Sequence, residues 1–79
     1  MTYTIKCNDG RTQEASTYFE LITTLREMFG REFELGEDEQ DGFPDEDGRR
    51  PMRRLVWACE ADSVGDDGSN AVASVRWYS

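Results

Sequence analysis

Residues 1–7 alternate without a break: Met1, Tyr3, Ile5 and Cys7 fall on one side, Thr2, Thr4 and Lys6 on the other. A period of two is that of a strand with one buried face. Asn8, Asp9 and Gly10 follow, three residue types suited to a turn. Residues 11–15 can then return as a short polar edge strand, a composition that discourages unwanted pairing. The period next changes to that of a helix. Tyr18, Leu21, Ile22, Leu25, Met28 and Phe29 make one stripe at helical spacing, which predicts a helix over 18–29. Thr17 is placed to cap it, Glu20 completes a capping box, and Gly30 suits the left-handed position after the last turn. Phe19 lies off the centre of the stripe, at its margin.

Residues 31–35 alternate once more and predict one extra short strand. From 36 to 51 Phe43 is nearly the only apolar residue, and three glycines and two prolines accompany it, so a long loop is expected there. Loops of that length inside a small domain are usually functional or disordered. Residues 55–59 and 71–78 read as two further strands, joined through 63–69 as a second hairpin. Parity puts Leu55, Trp57, Cys59 and Ala61 on one inward face, with Ala71, Ala73, Val75 and Trp77. The assembled order, β-β-α-β-β with the extra strand, is α+β: an antiparallel sheet with one amphipathic helix on one face. A single helix leaves the other face uncovered. The same parity sends Val56, Ala58, Val72 and Tyr78 there, beside Arg54, Glu60, Ser74 and Arg76.

Composition sharpens this outline. The chain has 79 residues, enough for a single domain spanning 1–79, and carries 17 acids against 9 bases, for a formal charge of −8. Nine of the acids lie between Glu32 and Asp47 with no Lys or Arg among them, while the other 63 residues hold nine bases and eight acids. One segment therefore supplies the whole net charge. Arg49, Arg50, Arg53 and Arg54 follow at once and are placed to offset it locally or to flank the next strand. Direct nucleic-acid binding is disfavoured, because it needs a basic face. No apolar run approaches the roughly 20 residues of a membrane span, and the N-terminus has no signal-peptide pattern, so a cytoplasmic location is expected.

Few residues are suited to catalysis. Histidine is absent, which removes the commonest general base and metal ligand. Cys7 and Cys59 sit among apolar neighbours with no histidine to activate them, and read as small core residues. Trp57 and Trp77 fall at inward parity and read as core anchors. A calcium-loop pattern starting at Glu37 places Glu39, Asp41 and Gly42 suitably, but its twelfth position is Gly48 in place of glutamate. One starting at Phe43 lacks the first ligand. No catalytic residue, metal ligand or cofactor is assigned; weak divalent binding is the least favoured alternative.

The acidic run remains. Carboxylates one to three residues apart along an extended segment are spaced like charges along duplex DNA, and such a surface fits a groove lined by Lys and Arg. Glu37, Asp38, Glu39, Asp41, Asp45, Glu46 and Asp47 are the candidate partner-binding residues, with Asp66 and Asp67 in the last hairpin turn extending the surface. In its size, its sheet-plus-helix layout and this acidic run, the chain resembles the small acidic anti-CRISPR proteins of phages and mobile elements. That resemblance implies a non-enzymatic inhibitor, a monomer or homodimer in the host cytoplasm. Its partner would be a basic nucleic-acid-binding protein, above all a CRISPR effector complex whose DNA-binding site it blocks. Arg49, Arg50, Arg53 and Arg54 depart from a purely acidic DNA mimic. The alternative is a small structural or scaffold module that self-associates through its uncovered sheet face.

Overall fold

In the computed structural model, which describes residues 1–79, strands β1 (Tyr3–Cys7), β2 (Thr12–Ala15), β3 (Glu34–Leu35), β4 (Glu39–Gln40), β5 (Pro51–Trp57) and β6 (Ala73–Tyr78) form one antiparallel sheet. Their order is β2-β1-β6-β5-β3, with β4 also on the outer side of β5. Helix α1 (Tyr18–Phe29) lies on one face and the single-turn α2 (Glu60–Ser63) interrupts the β5–β6 connection. The α+β class read from the sequence is the class observed.

Helix α1 forms where its local signals place it. The Thr17 hydroxyl accepts the Glu20 backbone N–H at 3.1 Å, and the Glu20 carboxylate accepts the Ser16 N–H at 2.9 Å. The capping box thus closes one residue earlier than its usual form. At the other end Gly30, at φ 86°, donates to the Arg26 carbonyl at 2.9 Å. Leu21 and Leu25 are fully buried against Ile5, Cys7, Val56, Ala73 and Val75. Deleting either leucine side chain would cost about 2–5 kcal/mol. Phe19 does not cover the stripe's margin; it is 80% exposed.

Strand β5 corrects the sequence reading in extent and in parity. It begins at Pro51 and ends at Trp57, short of Cys59. Its partners fix which way each residue faces, because residues paired across a sheet share a face. Val56 pairs with Ala73, which pairs with Cys7, so Val56 faces the helix and is completely buried. Arg54 shares that face through Val75. Leu55 and Trp57 therefore point to the opposite face, the reverse of the expectation. Trp57 still becomes buried, because the β5–β6 connection folds over that face: its indole N–H donates to Asp66 at 2.7 Å, and Gly68 lies against the Leu55 side chain. The largest apolar side chain packs against the connection and leaves the helix to Val56. Cys59 and Ala61, expected inward, fall outside the strand, Cys59 as the residue preceding α2 and Ala61 exposed within it. The expected face of Val56, Ala58, Val72 and Tyr78 with Arg54, Glu60, Ser74 and Arg76 is likewise replaced. Arg76, Ser74 and Tyr78 do lie opposite the helix, Val56 and Arg54 do not.

Strands β3 and β4 run along the same side of β5 with a β-bulge between them. Leu35 pairs with Val56 and Glu39 with Arg53, so residues 36–38 stand opposite only Arg54 and Leu55. Leu35 consequently faces the helix while Glu39, four residues on, faces away. Gly36 sits in the bulge, donating to the Leu55 carbonyl at 2.8 Å, and a Cβ there would stand 2.8 Å from the Trp57 ring. Glycine is what allows the indole to lie across this edge.

Candidate functional site

The acidic segment is not the long open loop expected over 36–51. Its first half is the bulged edge strand, and its second half is the tip of the β4–β5 hairpin. The reason lies in β5 and β6. Arg53 and Arg76 are paired directly across these strands on the face opposite the helix, a like-charge juxtaposition that destabilises a sheet unless acids answer it. Glu39 and Asp41 answer it: Arg53 bonds Glu39 at 3.0 Å and approaches Asp41 at 3.8 Å, and Arg76 donates to Asp41. On the helix side of the same edge Arg54 donates to Asp38 at 2.9 Å. That hydrogen bond from Arg54, together with its positive charge, holds the Asp38 carboxyl below the usual aspartate range.

The tip is fixed mainly by backbone bonds. Asp41 N–H donates to the Pro51 carbonyl at 2.8 Å, and Arg50 and Ser79 exchange two backbone bonds of 3.1 and 2.8 Å. Gln40 donates through its side chain to the Gly42 carbonyl at 2.9 Å. Asp45 begins a tight turn in which Gly48, at φ 77°, donates to the Asp45 carbonyl at 3.0 Å. The Asp45 carboxylate accepts the N–H groups of Asp47 and Arg49 at 3.0 and 2.9 Å. Aspartate at the first and glycine at the fourth position suit this turn.

The seven candidate acids of the segment therefore divide by role. Asp38, Glu39 and Asp41 are pinned by arginines, and Asp45 shapes the turn. Glu37, Glu46 and Asp47 are exposed, have no salt bridge and project from a fixed backbone. Across the folded edge the seven acids share space with Arg49, Arg50, Arg53, Arg54 and Arg76, so the charge contrast along the chain is partly cancelled in three dimensions.

Asp66 and Asp67 lie at the Trp57 end of β5, with the Trp57 indole between Asp66 and Gly36; the hairpin tip that carries Glu46 and Asp47 is at the other end of the strand, about 20 Å along it. The Asp66 carboxylate takes the Trp57 indole N–H and the N–H groups of Gly68 and Asn70, at 2.7 to 3.1 Å. The Trp57 bond is the main cause of an Asp66 carboxyl held below the usual range. Asp67 accepts from the hydroxyl and N–H of Ser69, which lowers its carboxyl as well. These two aspartates fold the β5–β6 connection. The sequence carried a signal for this in the spacing of Asp66, Gly68 and Asn70, since aspartates commonly cap backbone N–H groups two residues on. It carried another for the hairpin, in the Gly42 and Gly48 that bracket a reversal between Glu39 and Arg53.

The remaining chemistry is sparse. Cys7 and Cys59 are free thiols; Cys7 is buried, and burial pushes its thiol up. No group of three or more Cys, Asp or Glu side chains is arranged to hold a metal ion. No helix is long and apolar enough to cross a membrane. A shallow cavity of about 210 Å³ lies beside the hairpin, lined by residues that include Asp41, Pro51, Met52, Arg76 and Tyr78. No family model, curated protein or solved structure matches the chain.

Proposed function

We propose that this chain is a non-enzymatic inhibitor that sets its acidic β4–β5 edge into the basic nucleic-acid groove of a partner, a CRISPR effector complex being the leading candidate. One observation carries this reading: Glu37, Glu46 and Asp47 present unpaired carboxylates from a backbone held in place by the sheet and by the Asp45 turn. Acids held on a fixed backbone need little ordering when they bind, and preorganisation is what raises affinity for a given surface. The arginine-pinned Asp38, Glu39 and Asp41 hold the edge in shape, so the phosphate-surrogate role narrows to the three unpaired acids. Partner lysines and arginines would meet them, with faster association at low salt.

The rival reading, self-association through the sheet face opposite the helix, has less to stand on. Leu55 and Trp57 are covered by the β5–β6 connection, and the rest of that face carries the Arg53, Arg76, Glu39 and Asp41 ion-pair network. The test is inhibition of target-DNA binding by two purified guide-loaded complexes, one single-protein nuclease and one multi-subunit surveillance complex. Wild type should inhibit at least one of them, and E37K/E46K/D47K should lose at least tenfold in potency. Equal potency of the reversed variant would refute electrostatic masking.

A further inference from the structure

Phe43 is the most exposed large apolar residue of the chain, with 93% of its surface open to solvent. Isolated exposed apolar residues are common on protein surfaces. This one differs in how it is presented. The residues on both sides of it are immobilised: Gly42, at φ 122°, has its carbonyl held by Gln40, and Asp45 is locked into the turn by the Asp47 and Arg49 amides. Pro44 restricts the backbone between them. The hairpin therefore holds the ring out in solvent, although apolar surface is close by. Gly42 lies against Pro51, and Pro51, Met52 and Tyr78 line the 210 Å³ cavity at the base of the same hairpin. Tyr78 is itself 59% exposed. An apolar knob thus stands next to a shallow hole, and Glu46 and Asp47 flank the knob without salt bridges.

We propose that Phe43 is the anchor of the binding surface: its ring enters an apolar pocket on the partner protein, and Glu46 and Asp47 meet lysines or arginines on that pocket's rim. The inference rests on the function proposed above and specifies the partner's site. A bare phosphate track offers charge alone, whereas this tip asks for a basic surface with an apolar recess inside it. An aromatic presented from a fixed backbone with charges around it is the usual arrangement of an energetic hot spot.

The experiment measures binding of wild type, F43A, F43W and E46K/D47K to the same two guide-loaded effector complexes, with circular dichroism to confirm that each variant is folded. Because Phe43 is exposed, its replacement should leave the fold intact. The expected result is a loss of about thirtyfold or more for F43A, with most of the affinity kept by F43W. If F43A binds like wild type while E46K/D47K is lost, the anchor is wrong and acidic masking stands. If F43A is lost while E46K/D47K binds like wild type, the anchor holds and electrostatic masking falls. If wild type binds neither complex, both proposals fall.

Discussion

Asp66 shows how one carboxylate can organise a segment far larger than itself. It accepts three N–H groups, one of them from the Trp57 indole, and so closes the β5–β6 connection over a tryptophan that the helix does not cover. Its carboxyl is held below the ordinary aspartate value in the folded chain, chiefly by the indole bond. Folding therefore favours the charged form. The resulting stability is fully present above the ordinary value of about 3.9 and is lost as pH falls through the lower folded value. The D66N variant should be less stable than wild type at neutral pH, and the difference should shrink below about pH 4. Thermal melts from pH 2 to 7 check this; a difference that stays constant with pH would assign the loss to packing alone. The bonds to Gly68 and Asn70 are legible in the local spacing, but the indole bond is not, because Trp57 lies nine residues back in β5.

Among the elements, α1 was readable from its residues alone, since its cap, stripe and terminal glycine all lie within the helix or next to it. Strand β1 and the inward set Ala73, Val75 and Trp77 were readable for the same reason. Strand β4 and the first half of β5 were not. Arg53, Arg54 and Glu39 have the composition of a solvated loop, and they form strands because each charge finds its opposite across the sheet or, for Arg53, also at Asp41 beside it. The bulge at 36–38 hides the register further, by shifting the alternation between Leu35 and Glu39. This arrangement makes a prediction about chain length. Deleting Glu37 removes the extra residue and leaves Glu39 opposite Arg53, so stability should change by less than about 1 kcal/mol. Deleting Glu37 and Asp38 together slips the register by one residue and turns Glu39 toward the helix face. With three ion pairs displaced and the Asp38–Arg54 pair removed, at about 0.2–1 kcal/mol each, the double deletion should cost about 1–4 kcal/mol more. Urea titration of both variants, with amide exchange at Gln40 and Asp41, distinguishes them. Equal stability of the two would mean that register does not depend on these pairs.

At the scale of the whole molecule, the sequence shows a charge contrast that folding partly cancels. The acidic run and the arginines that follow it meet on one edge, joined by Arg76 from the last strand. What remains unpaired is Glu37, Glu46 and Asp47, with an exposed aromatic on the fixed backbone of the hairpin, a smaller surface than a uniform polyanion. Its charges sit outside the sheet's hydrogen-bonded core, so a basic groove can reach them without unfolding any strand. If the chain masks the groove that normally holds DNA, chain and DNA must exclude one another. The decisive measurement is binding of wild type to a guide-loaded effector complex that it inhibits, made with the complex empty and again after saturation with target DNA. Masking predicts that bound DNA abolishes association of the chain, while a ternary complex formed at unchanged affinity would contradict it.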